Sequence, residues 1–196
     1  MSEAVEKKEI NIKEDNMEIK LTKDQRAVAN AAAKETTRPV LHCVHIKKGL
    51  IEATDGFILV QKKIDYDGEK EVLLDINEFK RLKDNKPLGG IILTSSTEEN
   101  KVKALGQDNF ILKKQSGNFP YTEPLIPKGE PVFKIALSRQ MLKKLISALD
   151  NSNAPVKFYF YGTASPVKIE IPAEETVAVL MPMFCSWEDE KWQLTK

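Results

Sequence analysis

Three stretches of the chain begin with a short apolar run, pass through a helix-capping residue and continue with apolar positions at helical spacing. The first apolar run, Met17–Leu21, leads to Thr22, and Gln25 follows three residues later. This is the spacing of a capping box, in which each side chain bonds the backbone N–H of the other residue. It predicts a strand and then an alanine-rich helix that runs from Thr22 to about Lys34.

The second and third stretches repeat this order with different residues. Glu71–Leu74 precedes the cap Asp75, and a short helix is predicted from there to about Lys83. Val132–Leu137 precedes Ser138, which begins a third predicted helix. The apolar positions of this helix follow the i, i+3, i+4, i+7 rule: Leu142, Leu145, Ile146 and Leu149.

Each predicted helix is followed by three β-rich runs that are separated by turn residues. The predicted strands are Val40–Ile46, Leu50–Glu52, Phe57–Ile64, Gly90–Leu93, Lys101–Leu105, Asn109–Gln115, Val156–Tyr161, Val167–Ile171 and Thr176–Met181. The order strand, helix, three strands thus occurs three times at a period of roughly 50–65 residues, which predicts an α+β fold of three repeated modules. Capping boxes are common, so an α+β protein whose caps coincide by chance is the alternative.

Length and composition are those of an ordinary globular protein. The chain has 196 residues, 41% hydrophobic and 30% charged, which allows a sizeable core. Its net charge of +1 creates no overall field toward nucleic acid, so any DNA contact requires local clusters of lysine and arginine. Cys43 and Cys185 are far apart, which predicts reduced thiols and neither a disulfide framework nor a zinc site.

The location predicted from the sequence is the cytoplasm. Residues 1–16 alternate acids and lysines without the apolar core of a signal peptide, and they are expected to form a flexible tail. No later stretch approaches the roughly 20 apolar residues of a membrane helix, so we expect no membrane contact.

The candidate catalytic groups do not form a recognisable site in the sequence. Motifs for nucleotide hydrolysis, dinucleotide binding and the common hydrolases are absent. On a strand, Cys43 and His45 share a face while His42 points away, so these residues are interpreted as structural. Asp55, next to Thr54, has the pattern of a turn former rather than of a catalytic acid. We therefore expect no enzyme activity, no catalytic residue, no cofactor and no metal.

Three further motifs carry a resemblance to a known family. In chain order they are Arg38–Val44 with Ala53–Gly56, Gly117–Tyr121 with Ile126–Pro127, and Val179–Met183. They resemble, in this order, the opening of the middle domain, the end of that domain and the C-terminal strand of the bacterial DNA sliding clamp, the β subunit of DNA polymerase III. The resemblance extends from about residue 17 to residue 183.

The resemblance implies a shortened, DNA-clamp-like architecture. A clamp subunit has three domains of two modules each, whereas this chain has room for three modules. The implied division is a tail at 1–16, a complete two-module domain at 17–128, a half domain at 129–184 and an extension at 185–196. An odd module leaves an unsatisfied sheet edge, so we expect two chains to pair their third modules in a homo-oligomer.

The resemblance also implies a peptide-docking groove. In clamps, partner proteins insert a short peptide into an apolar groove between the middle domain and the end of the last one. The corresponding positions here are Thr54, Gly56, Phe57, Ile58, Leu59, Pro127, Val179, Met181, Pro182 and Met183. Apolar side chains and adaptable methionines suit such a groove. The alternative is that the apolar ones are ordinary core residues of strands. The extension, which contains Trp187 and Trp192, is a candidate to cover the groove.

Basic residues on the three predicted helices form the candidate DNA-facing surface, because clamps turn their helices toward the DNA in the central hole. They are Lys23, Arg26, Lys34, Lys80, Arg81, Lys83, Arg139, Lys143 and Lys144. Such residues can contact phosphates without reading the base sequence. The alternative is that they are ordinary solvated helix faces.

Together these features predict a processivity factor of DNA replication or repair. The expected partners are DNA polymerase or repair proteins, which bind through short clamp-binding peptides, and double-stranded DNA. The alternative is a peptide-binding regulator or decoy of the true clamp that does not encircle DNA. Ring assembly and salt-sensitive DNA association would separate the two functions.

Overall fold

Eleven β-strands and three α-helices form within the residues that the computed structural model describes, 17–83, 89–96, 101–105, 110–149 and 154–187. The strands are β1 (Glu18–Leu21), β2 (Cys43–Lys47), β3 (Leu50–Thr54), β4 (Leu59–Lys63), β5 (Val72–Asp75), β6 (Ile91–Ser95), β7 (Lys101–Leu105), β8 (Ile111–Lys113), β9 (Lys157–Tyr159), β10 (Val167–Ile171) and β11 (Thr176–Leu180). The α-helices are α1 (Lys23–Arg26), α2 (Ile76–Arg81) and α3 (Arg139–Ala148). Short 3-10 helices lie at Ala27–Ala31, Pro39–His42, Glu123–Leu125 and Pro172–Glu174.

The fold is of mixed α+β class, as predicted. By its internal contacts the chain divides between Ile126 and Pro127 into an N-terminal and a C-terminal unit. No α-helix among the residues described is long and apolar enough to cross a membrane. The predicted tail at 1–16, Asn109 and residues 188–196 of the predicted extension lie outside the described residues.

Two four-stranded antiparallel sheets form the N-terminal unit, with strand orders β1-β6-β7-β8 and β4-β3-β2-β5. The order strand, helix, three strands occurs twice in this unit, and each first strand pairs outside its own segment: β1 with β6, and β5 with β2. Leu21 lies opposite Ile91, and Leu74 lies opposite Val44. The two segments therefore exchange their first strands, and each sheet needs both segments.

Strand β5 has a neighbour on both of its edges. On one edge it pairs with β2. On the other, Leu74 forms a bridge with Lys114, and the N–H of Gln115 donates to the carbonyl oxygen of Leu73 at 2.8 Å. The end of one sheet is thus attached to the edge of the other.

A single apolar core fills the N-terminal unit and draws on both sheets and on the helices. Ile19 and Leu93 come from one sheet, Val44 from the other, and Val28 and Phe79 from the helical segments, and all are buried. Burial of such a side chain contributes about 1.5–3 kcal/mol relative to its exposure. The core is therefore a main source of the stability of this unit.

The first helix is shorter than predicted. The capping box forms as expected, because Gln25 N donates to Thr22 Oγ1 (3.2 Å) and Thr22 N donates to Gln25 Oε1 (2.8 Å). The α-helix ends at Arg26, however, and five residues of 3-10 helix follow before Ala32 becomes extended (ψ 151°). This 3-10 segment packs on β3 and β4, so tertiary packing overrides the helix propensity of its alanines. Lys34 is not on the helix.

Two predicted strands have the observed limits, and the others differ from the prediction at one or both ends. β7 and β10 coincide with the predicted strands Lys101–Leu105 and Val167–Ile171. The run predicted as Val40–Ile46 instead begins with the 3-10 turn Pro39–His42, because proline fixes φ and favours the first position of a helical turn. Strand β2 begins only at Cys43.

The C-terminal unit consists of α3 and a three-stranded sheet of order β11-β10-β9. Ser138 caps the helix as predicted, with its hydroxyl accepting from Met141 N at 3.4 Å. The core is small: Val167, Ile169 and Leu180 are buried, whereas no residue of α3 is.

The strand predicted at Val132–Leu137 does not form. Leu137 alone makes a bridge, to Pro182, and Met183 N donates to Ala136 O at 2.9 Å. A strand requires a ladder of backbone partners. In the part of the chain that the structure describes, residues 132–135 have no such ladder.

Candidate functional site

The first part of the predicted groove is the turn between β3 and β4. Thr54 Oγ1 donates to Ile58 O (2.6 Å) and accepts from Gly56 N (3.0 Å). Asp55 Oδ1 accepts from Phe57 N (2.8 Å) and Ile58 N (2.9 Å). The hydrogen bonds from Ile58 and Phe57 lower the pKa of Asp55. Asp55 therefore acts as a turn former, as its sequence context indicated.

This turn presents apolar side chains to solvent. Phe57 is 98% exposed and Ile58 is 52% exposed, whereas Leu59 is half-buried and Thr54 is buried. Gly56 has a φ of +97°, a conformation that residues with a Cβ rarely adopt. Phe57 and Ile58 are thus surface residues on a hydrogen-bonded turn, not core residues.

The second part of the predicted groove lies at the end of β11. Val179, Met181 and Met183 are at least half exposed. The backbone beyond β11 is held by the Leu137–Pro182 bridge described above. Pro127, the remaining predicted residue of this unit, is also exposed. Apolar side chains therefore lie at the surface in both units.

A cleft of about 570 Å³ lies next to this end of β11 in the C-terminal unit. Pro182 and Met183 line it, together with the first residues of the predicted extension. Lys134 Nζ lies 5.8 Å from the ring centroid of Trp187, and Phe184 is almost fully exposed. The start of the extension thus lies beside the predicted groove residues of this unit.

A buried charged network lies beneath the final segment of the N-terminal unit, and the sequence did not predict it. Glu52 is fully buried in β3. Its carboxylate accepts from His45 Nδ1 (2.8 Å), Thr122 Oγ1 (2.7 Å) and Gln61 Nε2 (2.6 Å). Burial acts to raise the pKa of Glu52, but these hydrogen bonds and nearby Lys47 outweigh it and lower the pKa to about 2. The carboxylate is therefore charged at neutral pH.

The network holds residues 117–126, which we call the connector, against the sheet. Thr122 supplies one of the hydrogen bonds to Glu52, and Phe119 stacks on His45 with ring centroids 4.6 Å apart. His45 and Glu52 were separate features in the sequence: a histidine near a cysteine, and an acid in an apolar strand. Their role is to fix the connector just before Pro127.

The predicted DNA-facing residues do not form one uniform set. Arg26 Nη1 donates to Leu82 O (3.0 Å) and links the first helical segment to the second. The guanidinium of Arg81 lies 5.5 Å from the ring centroid of Phe110. Lys34 lines a cleft instead of a helix face. The exposed residues on or next to the helices are Lys23, Lys80, Arg81, Lys83, Arg139, Lys143 and Lys144.

Cys43 and His42 border the cleft that contains Lys34, which has a volume of about 430 Å³. His42 Nε2 lies 3.7 Å from Asp75 Oδ2, so a thiol, an imidazole and a carboxylate are neighbours. Burial, with a smaller effect of Asp75, raises the pKa of Cys43 to about 11. The reactive thiolate is therefore disfavoured, and this cluster lacks an activated nucleophile. Across the described ranges, no group of three or more side chains is placed to hold a metal ion.

Comparison with known proteins identifies the fold. No protein-family model and no curated protein matches the chain. Among solved structures, the DNA polymerase sliding clamp from Bacillus subtilis is similar with a TM-score of 0.59 and 20% identity, over 85% of this chain and 49% of that chain. DNA polymerase III subunit β from Borrelia burgdorferi, solved in complex with a natural product, gives a TM-score of 0.59 and 17% identity, over 84% and 46%.

A third solved structure, the DNA polymerase III β chain from Streptococcus pneumoniae, gives a TM-score of 0.58 at 16% identity, over 93% of this chain and 51% of that chain. The chain thus spans about half the length of these clamps. The resemblance expected from the three sequence motifs is confirmed at the level of the fold.

Proposed function

Since the chain has the sliding-clamp fold on about half the length of a clamp, we propose that it is a non-enzymatic accessory factor of DNA replication or repair. In this role it docks short peptides of polymerase or repair proteins. The observation that carries the proposal is the exposure of Phe57, Ile58, Val179, Met181 and Met183. Exposed apolar residues on ordered backbone, as found in each of the two units, are typical of interaction sites.

The proposed architecture is a complete clamp-like domain at 17–128 and a half domain at 129–184, which together contain three modules. The proposed groove uses the β3–β4 turn of the first domain and the end of β11 in the second. The methionines suit a surface that accepts more than one peptide sequence, because their side chains repack easily. The segment from residue 185 regulates access to the groove.

Contact with double-stranded DNA is the second element of the proposal. The exposed lysines and arginines next to the helices would contact phosphates, and such binding weakens steeply with salt. A peptide-binding regulator or decoy would need the groove alone. The near-neutral net charge of +1 favours neither function, since local clusters rather than the total charge decide phosphate binding.

Fluorescence anisotropy with a labelled peptide of the Gln-Leu-x-Leu-Phe pattern, the type expected for clamps, tests the proposal. The full chain should bind it saturably. The double variant Leu59→Ala, Met181→Ala should lose binding at least tenfold, since two anchoring contacts are removed. A matched control, Ile111→Ala with Val177→Ala, changes exposed apolar strand residues outside the proposed groove and should leave the affinity unchanged.

If the full chain does not bind the peptide, a shortened chain provides a second test of the proposal. A chain ending at Met183 lacks residues 184–187, which line part of the cleft beside the groove, so binding by this chain alone would show that the residues after Met183 cover the groove. If neither chain binds, the proposed docking function is wrong.

A further inference from the structure

The C-terminal unit repeats one contact of the N-terminal unit in detail. In the N-terminal unit, Leu74 bridges Lys114 and Gln115 N donates to the residue before Leu74. In the C-terminal unit, Leu137 bridges Pro182 and the following Met183 N donates to the residue before Leu137. Both leucines directly precede a helix cap. The segment Val132–Leu137 therefore corresponds to strand β5.

The two segments differ at their other edge. β5 continues the sheet because its second edge pairs with β2, with Leu74 opposite Val44. The matching strand β1 pairs with β6 in the same register, with Leu21 opposite Ile91. Among the described residues, Val132–Leu137 has no strand at this edge. One half of its expected hydrogen-bonding ladder is missing.

Among the strands that the structure describes, the sheet of the C-terminal unit has a matching unpaired edge at β9. Phe158 lies opposite Ile169 in β9–β10, as Leu93 lies opposite Ala104 in β6–β7 and Ile46 opposite Ile51 in β2–β3. Strand β9 therefore corresponds to β6 and β2, the strands that receive a first strand from the other segment. Leu93 and Ile46 are 0% exposed, whereas Phe158 is 39% exposed. The side chain at this strand position is thus buried in both complete sheets and partly exposed in β9.

The apolar face of helix α3 is also more exposed than the corresponding face of α2. Phe79 and Leu82 of the second helical segment are buried in the N-terminal unit. The residues at the same distance from the helix cap in the C-terminal unit, Leu142 and Leu145, are only half-buried. The neighbouring Ile146 is half exposed. Within the described residues, no segment covers either the sheet edge or this face of the helix.

We propose that a second copy of this chain supplies the missing half. Residues 132–137 of each copy pair antiparallel with β9 of the other, which reproduces the exchange of first strands in the N-terminal unit. With Phe158 matched to Leu93 and Ile46, the register is Leu137 opposite Val156, Ile135 opposite Phe158, and Lys134 opposite Tyr159. This inference goes beyond the proposed docking of peptides and does not depend on it.

A second copy fits because the surface is complementary to itself. In the described part of the unit, residues 132–135 have no strand partner and the outer edge of β9 is unpaired. A strand and an edge of this kind on one surface are the condition for a two-fold symmetric interface. Phe133 and Phe160, adjacent to the proposed ladder, are also 41% and 47% exposed. Aromatic side chains of this kind are enriched at protein interfaces. The pairing also removes an unpaired sheet edge, which soluble proteins generally protect.

Sedimentation equilibrium of the full chain over a concentration series tests the assembly. The expected result is a monomer–dimer equilibrium. Phe158→Asp should raise the dissociation constant at least about 100-fold, because the symmetric dimer contains two copies of each substitution. Val177→Asp, at an exposed apolar position on the opposite edge strand β11, should leave the dissociation constant unchanged. Far-UV circular dichroism confirms that both variants are folded.

Disulfide formation between mixed chains tests the register. In a Cys185→Ser background, a Lys134→Cys chain mixed with a Tyr159→Cys chain should form a crosslinked heterodimer under mild oxidation, because directly opposite residues lie within disulfide reach. The same Lys134→Cys chain mixed with a Lys157→Cys chain should not, since a two-residue offset places the Cα atoms about 7 Å apart or more.

Four results would overturn the inference. A chain that stays monomeric at all concentrations excludes the dimer. Equal crosslinking at both cysteine pairs, or a dimer insensitive to Phe158→Asp, excludes this interface. A monomer that associates only with a bacterial clamp subunit assigns the missing half to a different partner.

Discussion

Replacing Glu52 with glutamine should destabilise the N-terminal unit in a way that depends on pH. The substitution keeps the size of the side chain and removes its charge. In the native structure three donors, from His45, Thr122 and Gln61, point at the carboxylate. A glutamine presents an N–H₂ group in place of one acceptor oxygen, so at least one buried donor loses its partner.

The magnitude follows from the pKa of Glu52. Its ordinary value is 4.5, and the folded state lowers it to about 2. Through proton linkage this difference corresponds to about 3 kcal/mol of stability. Because the folded pKa is the lower one, this stability is fully present above pH 4.5 and is lost as the pH falls toward 2. Glu52→Gln should therefore be about 3 kcal/mol less stable at pH 7, and the difference should shrink in acid.

Urea unfolding between pH 7 and pH 2.5 measures this difference. Far-UV circular dichroism follows the whole chain, whereas tryptophan fluorescence reports on the C-terminal unit, because both tryptophans, Trp187 and Trp192, follow Pro127. The fluorescence transition should be the same in both proteins. Glu69→Gln is a matched control, since Glu69 pairs with Lys48 at the exposed surface, where ion pairs contribute little.

Two results would refute the reasoning about Glu52. One is a stability difference at pH 7 that is below about 1 kcal/mol, the value of an ordinary hydrogen bond. The other is a difference that stays constant down to pH 2.5, since it would mean that the carboxylate charge is not what stabilises the fold.

Three further predictions concern other parts of the molecule. Thr122→Val should cost about 1–3 kcal/mol and increase amide hydrogen exchange in the connector, whereas Thr122→Ser should keep both near wild type. Cys43 is buried and its pKa is raised to about 11, so it should react with iodoacetamide at pH 7.5 far more slowly than the partly exposed Cys185. Peptide mass mapping measures both rates, and equal rates would contradict the burial of Cys43. Lys143→Glu with Lys144→Glu should weaken retention on immobilised duplex DNA and reduce its salt dependence; unchanged retention would remove these two lysines from the DNA surface.

Local sequence signals predicted most of the secondary structure. The caps at Thr22, Asp75 and Ser138 were predicted because a capping residue and its hydrogen-bond partner lie within a few residues of each other. The alternating strands β7 and β10 were predicted with their observed limits. Such features depend on neighbours in the chain, so one sequence is enough to locate them.

Features that depend on distant residues were missed. Glu52 and Thr122 are 70 positions apart, and nothing in either local pattern indicates that they bond. The alanine-rich run after Arg26 has high helix propensity, but its packing on β3 and β4 imposes a 3-10 helix. Residues 132–135 have the pattern of a strand but no strand partner within the part of the chain that the structure describes. For the proposed groove, the sequence supplied candidate residues, whereas their exposure required the structure.

The measurement that tests the docking function most directly is an NMR titration of the isotope-labelled chain with a Gln-Leu-x-Leu-Phe peptide. Proton–nitrogen correlation spectra report each backbone amide separately. We expect saturable shift changes at Gly56, Phe57, Val179 and Met181, with the buried strand β7 unaffected. An absence of shift changes, or changes restricted to residues outside the β3–β4 turn and the end of β11, would contradict the proposed peptide-docking surface.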